Sequence, residues 1–394
     1  MESCFKCRLK KLLSIFLSLF LGLFLADAVI SLVDDSLIVF FGLHLLGLVS
    51  VIISLFAVLM AIAVYLLMGL TPLVPKRVFL PLALFYPVAT LASIPFSIYY
   101  HAHFEQISWV FSLCQVAVGL AGLFVLGGGF KFRWPLVSDT QLGFRGFSWL
   151  NLSGFLLINI FIVPVAAFIY CAFCASLAVD HFSDGFIALR PGGFTVRVAD
   201  YVRSDGKKIR LIPMAHIGES EFYRTISESF PSNSTILMEG VTDDQNLLTN
   251  KLTYKKMATS LGLAEQQEKF EPQQGEIVYA DVDVSQFSSN TIAFLNLVTL
   301  FHSKGVNAQT LPVMIQYSPP ANFQDELLDN LLTKRNRHLL DEIQLRLPDS
   351  ANIMVPWGVA HMPGIAAEIK KSGFHETKSQ EYYVIRFNFH RAQK

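Results

Sequence analysis

Leu177-Ala178-Val179-Asp180-His181-Phe182-Ser183-Asp184-Gly185 is the stretch where this 394-residue chain changes character. Upstream, from Leu12 to Phe182, the sequence is mostly Leu, Phe, Ile, Val, Ala and Gly. Downstream, from Ser183, charges and turn residues are interspersed as in an ordinary globular domain. The change divides the chain into a transmembrane helical region, 1–182, and a second domain, 183–394, long enough to bury a core of its own. Composition agrees. Hydrophobic residues make up 53% and charged residues 16%, and a mean hydropathy of +0.46 argues against a wholly soluble chain. The formal net charge is zero, which gives no bulk electrostatic drive toward nucleic acid, and none is expected as a partner.

A spanning helix needs about 20 largely apolar residues. Five stretches qualify: Leu12 to about Ala26, extending at most to Val33; one within Leu37 to Leu70; Val78 to Tyr99; Trp109 to Phe130; and Phe147 to about Val179. The second and fifth exceed one crossing. Splitting either would leave no polar loop and two short halves, so tilt or extension past the bilayer is expected. Ala26-Asp27-Ala28 loosely resembles a signal-peptide cleavage site, but the apolar run is long for a signal and further spans follow, so a retained anchor is expected. Asp34 and Asp35 read as a loop, with Asp27 at a helix end. Basic residues then set the orientation. Lys6, Arg8, Lys10 and Lys11 precede the first span, Lys76 and Arg77 lie between the second and third, and Lys131, Arg133 and Arg145 between the fourth and fifth. The other two loops carry no Lys or Arg, so the N-terminus is expected in the cytoplasm and the C-terminal domain outside it, in the periplasm of a Gram-negative cell. Asp27, His44, Asn151 and Asn159 sit in or near the spans, without the repeated charged helices of an ion pathway. A multi-pass anchor in a lipid bilayer is expected rather than a transporter.

Of the five cysteines, none follows Cys174. Cys4 and Cys7 form one C-x-x-C beside the basic N-terminus, and Cys171 and Cys174 form another in an apolar segment. Zinc would need two such pairs in polar surroundings, so membrane-embedded or juxtamembrane thiols are expected. A cysteine-free second domain is compatible with an oxidising compartment.

Downstream of Ser183, Phe194–Arg203 and Lys208–Ile217 read as strands joined by a turn at Ser204–Lys207. Thr235–Glu239, Ile277–Ala280, Asn352–Trp357 and Glu381–Phe389 read as further strands. Helical spacing marks Glu219–Phe230, Leu247–Leu261, Asn290–Lys304, Asp325–Leu345 and Pro363–Lys371. Strands alternating with helices predict an α/β domain with a mixed, partly parallel sheet.

Three apolar strands each finish on a residue that can bind metal or move protons: Ile209 to His216, Ile236 to Glu239, and Ile353 to His361. Ligands bind beyond the carboxyl ends of strands in open α/β sheets, so His216, Glu239 and His361 would converge if those strands are neighbours. Two imidazoles and a carboxylate can hold a divalent metal with a position open for water. They could equally form a metal-free acid/base set, or each cap a strand. Arg335 falls in the middle of the Leu328, Leu332 and Leu339 stripe, where a guanidinium needs a carboxylate or a substrate anion. Glu239 and Asp281 are its candidate partners. A buried structural ion pair is the alternative. His302 and His338 read as surface or packing residues.

At these residues the sequence resembles the TraB/GumN/PrgY family, which includes the Tiki proteins and is marked by two Gly-x-x-His motifs with a Glu ending an intervening strand. Gly358-Val359-Ala360-His361, followed by Met362-Pro363-Gly364-Ile365, matches the second motif. Met214-Ala215-His216 and Leu237-Met238-Glu239-Gly240 resemble the first half, Arg335-Asn336 the pair on the family's late helix, and Asp281 an Asp after its central strand. Pro213 stands where the first motif would have Gly. The likeness runs from about Ile209 to the C-terminus and leaves out the membrane half. It implies a fold shared with erythromycin esterases and ChaN-like proteins. It also implies a metal-dependent peptidase working outside the cell, with a divalent ion such as Mn, Co or Zn on His216, Glu239 and His361. Asn336, Asp281 and Gly358 would then contact substrate. Other members of the wider group are esterases or ligand binders.

The expectation is therefore a membrane-anchored, extracytoplasmic, metal-dependent hydrolase, a peptidase, acting on a peptide or small molecule. Glu239 would be a third ligand or the general base for a metal-bound water. Arg335 would orient Glu239 or stabilise an oxyanion, and His361 would complete the catalytic set. The alternatives are a regulatory membrane protein that binds a ligand or peptide without turnover, and a metal-free His/Glu esterase. No H-E-x-x-H helix is present, so ordinary zincin geometry does not apply.

Overall fold

The computed structural model describes residues 2–127, 129, 133–249, 253–305 and 307–387, with side chains from Arg8 onward. It forms two compact units, Met1–Ala178 and Val179–Lys394. Lys131 and the side chains of Cys4, Lys6 and Cys7 lie outside the described residues.

Five helices of the first unit are long and apolar enough to cross a membrane. They are α1 (Glu2–Phe41), α2 (Gly47–Leu70), α3 (Lys76–Tyr99), α4 (Phe104–Gly127) and α5 (Trp149–Phe182). The first departs from expectation. Asp27, Asp34 and Asp35 do not end it; they lie inside one helix of 40 residues. Donors within the bundle stand in for water: Asp34 accepts the Leu46 N–H at 3.2 Å, and Asp35 accepts the hydroxyls of Ser108 and Ser112. The break comes at Gly42, whose φ of +66° is left-handed backbone that glycine adopts without a Cβ clash. His44 lies in the exposed link that follows.

Half of the most apolar window of α1 is buried and none of that of α5, so α1 is the central helix. Leu17, Phe20, Leu21 and Phe24 have no exposed surface and pack with Val64, Met68, Phe79, Leu82 and Leu123. On α4, a Cβ at Gly119 would lie 2.6 Å from the Leu25 side chain, so a small residue lets α1 and α4 close. The two asparagines brace helices. Asn151 Nδ2 donates to the carbonyls of Met68 and Gly69, and Asn159 accepts the Tyr65 hydroxyl at 2.8 Å. Asn159 sits in a π turn, Ile158–Ile162, just before Pro164, which has no N–H to continue the α pattern. Cys171 is exposed and Cys174 buried, both free thiols.

The second unit is built on a mixed sheet of seven strands. In chain order the strands are β1 (Ile187–Arg190), β2 (Gly193–Val202), β3 (Lys208–Met214), β4 (Ile217–Gly218), β5 (Ser234–Met238), β6 (Ala264–Glu265), β7 (Glu276–Tyr279), β8 (Asn352–Gly358) and β9 (His375–Arg386). The sheet order is β1-β2-β3-β8-β5-β7, with β9 along the other edge of β2, while β4 and β6 form a separate pair. From β3 to β7 all pairings are parallel; around β2 they are antiparallel.

Central β8 is apolar on both faces, as a strand covered on both sides must be. Ile353, Val355 and Trp357 face a core shared with α9, which runs through Phe323–Leu328, a π turn Asp329–Thr333 and Lys334–Arg346, and with α10 (Met362–Lys371). Met354 faces the opposite core, with Ile212, Ile236 and the helix α6 (Ser220–Glu228). Along the chain, α7 (Lys255–Leu261) and α8 (Ser289–Lys304) fall between α6 and α9. The helix expected over Leu247–Leu261 shrinks to α7, because Asp243 accepts the N–H groups of Leu247 and Leu248 and holds a turn there. Strand β9 starts at His375, ahead of the expected Glu381, by pairing along the whole of β2; its expected end at Phe389 lies outside the described residues.

Candidate functional site

Strands β3, β8, β5 and β7 are parallel neighbours, so their carboxyl ends share one side of the sheet. The ladder between β5 and β8 runs from Ser234 opposite Asn352 only as far as Ile236 opposite Met354. Pro356 explains the stop. The Gly358 N–H points toward β5, and alternate residues of a strand present their N–H groups to the same edge, so the hydrogen that proline lacks would have faced β5. In the notch that results, the Glu239 carboxylate accepts the Gly358 N–H through Oε2, and Trp357 Nε1 donates to the Leu237 carbonyl at 3.0 Å. A Cβ at Gly358 would come within 3.2 Å of Glu239 Oε2, so any side chain there would press on the carboxylate.

Arg335, from α9, closes the notch. Its Nε donates to Asp281 Oδ1 at 2.9 Å and its Nη2 to Asp281 Oδ2 at 2.6 Å, a bidentate pair, while Nη2 also reaches Glu239 Oε1 at 2.8 Å. Nη1 faces His361 Nε2 at 3.2 Å and the Leu331 carbonyl at 3.5 Å. All five guanidinium hydrogens thus have an acceptor direction. Burial works against its charge, but Asp281 and Glu239 outweigh it and hold the guanidinium above its usual range. The Asp281 side chain has no exposed surface, and its oxygens also accept the N–H groups of Gly240 and Val282.

His361, where β8 turns into α10, is 4% exposed. Burial, then the Arg335 charge, push its pKa down to about 4 against the opposing pull of Glu239 and Asp281. It is neutral near pH 7, so its 3.6 Å approach to Glu239 Oε1 is not an ion pair there. Nδ1 lies 2.7 Å from Asn336 Oδ1; an amide oxygen can only accept, so Nδ1 carries the proton and Nε2 the lone pair. Asn336 is in turn held close to α10, since a Cβ at Gly364 would lie 2.8 Å from its Nδ2.

Of the residues singled out from the sequence, Glu239, Asp281, Arg335, Asn336, Gly358 and His361 form one hydrogen-bonded set. His216 is not part of that set. Beyond Met214 the chain turns into β4, and the exposed His216 ring stacks on Tyr254 with centroids 5.0 Å apart, Tyr254 in turn meeting His302 edge-on. A divalent metal does not fit the donor set His216, Glu239 and His361. His216 stands apart, and the Arg335 guanidinium already lies against both Glu239 Oε1 and the one His361 lone pair, where a second cation would be repelled. Among the described residues, no group of three His, Cys, Asp or Glu side chains could hold a metal ion. The Asp281 side chain is fully buried against Arg335, and Asn336 accepts the Nδ1 proton of His361. Neither Gly364, quoted only as part of the second motif, nor the Trp357 N–H is given a role by the sequence; a glycine two residues past the start of a helix is the one visible signal.

No family model matches the chain, and neither a curated protein nor a solved structure matches it.

Proposed function

We propose that the second unit is a hydrolase carried on a membrane anchor, with Glu239 and His361 as a metal-free acid/base pair that cleaves an ester or peptide bond. One observation carries this reading: side chains from β5, from the segments after β7 and β8, and from α9 meet in a single network in which a carboxylate and an oriented neutral imidazole lie 3.6 Å apart. Glu239 keeps 14% of its side-chain surface exposed, so lone pairs not used by Arg335 and Gly358 face solvent and can take a proton from an attacking water. With Arg335 Nη1 swung onto the Leu331 carbonyl that it also faces, His361 Nε2 is free to pass that proton to the leaving group; an imidazolium with a pKa of about 4 gives its proton up readily. Arg335, with every donor engaged, positions Glu239. The resemblance to TraB/GumN/PrgY sequences supports a hydrolase, and the Lys and Arg bias of the loops supports an extracytoplasmic location for it.

The same saturation of Arg335 favours a second reading, a module that binds a peptide or small ligand without turnover. Assays of the full-length protein in detergent against fluorogenic peptides and nitrophenyl esters, with and without a chelator, separate the readings. The expected result is turnover indifferent to chelation and reduced about 100-fold or more in Glu239→Gln. Turnover abolished by chelation overturns the metal-free pair, and a ligand that co-purifies in the absence of any turnover establishes the binding module.

A further inference from the structure

The first unit holds a carboxylate that the proposed hydrolysis does not use. Asp27 lies within α1 at 1% exposure. At 1.5 Å per residue it stands about 24 Å of helix beyond Lys11, well inside the apolar length of the span. Each of the three helices around it contributes a donor: Ser54 Oγ of α2 to Oδ1, and Tyr86 OH of α3 at 2.8 Å and Gln115 Nε2 of α4 at 2.7 Å to Oδ2. Tyr86 is the titratable group that faces it. Among the described residues no Lys, Arg or His pairs with it.

Those partners suit two charge states. A carboxylate only accepts, whereas a carboxylic acid must donate once. The Gln115 amide nitrogen can only donate, but the Ser54 hydroxyl can do either. When Oδ1 gains a proton, the Ser54 hydroxyl turns and accepts it, while Tyr86 and Gln115 stay on Oδ2. Each carboxyl oxygen keeps a partner in either form. With a cation as its sole ionic partner, the neutral acid would strand a buried charge. A metal ion is the wrong ligand, because three donors converge where oxygen acceptors would be needed.

A polar route leads to this carboxyl group from one side. Between α1 and α2 the rungs are Asp34 with the Leu46 N–H at 3.2 Å, Ser31 with Ser50 at 3.3 Å, and Asp27 with Ser54. The rungs follow one another at about one helical turn on both helices. Past Asp27 the same helix offers Phe24, Phe20 and Leu17, all without exposed surface, with Phe79 packed on Phe20.

We propose that Asp27 is a reversible proton-binding site of the membrane bundle, loaded from the α1–α2 link through Asp34, the Ser31–Ser50 pair and Ser54. The balance is simple: the carboxylate takes one proton from bulk water, and the Ser54 hydroxyl changes from donor to acceptor. The test is infrared difference spectroscopy of the full-length protein in lipid nanodiscs, acid minus alkaline buffer. A protonated-carboxyl C=O band that moves in heavy water is expected on acidification, lost in Asp27→Asn and displaced in Asp27→Glu. Should Asp27→Asn fail to fold, Ser54→Ala keeps the acid, removes its acceptor and must displace the band. Ser31→Val is expected to slow the band's appearance after a pH jump without changing its final size. No titrating band, or one unmoved by the Asp27 and Ser54 substitutions, overturns the site; an unchanged rate in Ser31→Val overturns the route.

Discussion

Glu239 in the second unit and Asp27 in the first are both carboxylates largely withdrawn from water, yet the chain surrounds them differently. Glu239 receives a guanidinium and a backbone N–H. Asp27 receives two hydroxyls and an amide. A buried cation favours the ionised form of its partner at rest, so Glu239 holds a proton only in passing, while Asp281 stays paired with Arg335. Neutral partners that can reverse their hydrogen bonds impose no such preference. The first arrangement suits a fixed catalytic geometry, and the second suits an exchangeable proton.

Removing the partner tests that difference most sharply. Arg335→Met strands Asp281 and Glu239 together and is expected to cost about 3–5 kcal/mol, read as accelerated hydrogen exchange across β8. Asp27→Asn keeps a side-chain acceptor among its neutral neighbours and is expected to cost about 1 kcal/mol by the same measurement across α1. Equal losses would erase the distinction.

Acid probes His361 next. The unfolded imidazole binds a proton below about pH 6.5, the folded one only below about 4, so acid favours unfolding. The stability involved is whole above about pH 6.5 and lost as pH falls toward about 4, in all about 3 kcal/mol. Denaturation across that window checks it, and His361→Gln should flatten the profile. Asn336→Ala leaves the Nδ1 proton of His361 without its acceptor, for an expected cost of about 1–3 kcal/mol and a fall in any turnover. Gly364→Ala is the mildest change. Its Cβ meets the end of a side chain that can give way, so a loss of about 1 kcal/mol or less is expected, with the tautomer of His361 by NMR as the finer readout.

Glu239, Arg335 and His361 were legible in the sequence because each interrupts an apolar pattern: two end apolar strands and one breaks a leucine stripe. Where those two strands lay was legible too, since β8 and β5 are short, apolar and bounded by turn residues, whereas β1, β4 and β6 went unread. His216 carries the same local signal as the other two strand ends. What separates it is the turn into β4, which depends on pairing with β6 far along the chain. The membrane half failed in a related way. Two adjacent aspartates look like a loop, but inside the helix Asp34 meets the Leu46 N–H and Asp35 the hydroxyls of Ser108 and Ser112, 73 and 77 residues away. Local pattern reports what a residue needs; it does not report which distant residue supplies it.

Pro356 shows how little chemistry it takes to open a site. A ring closed onto one nitrogen deletes a single hydrogen from the middle of a buried sheet, and two strands that would have zipped together part just far enough to admit an acid. An alanine there would give the backbone a donor again and invite β5 to reclaim its neighbour, closing the gap by secondary structure alone. The vacancy in the pleat, rather than any added group, makes room for Glu239.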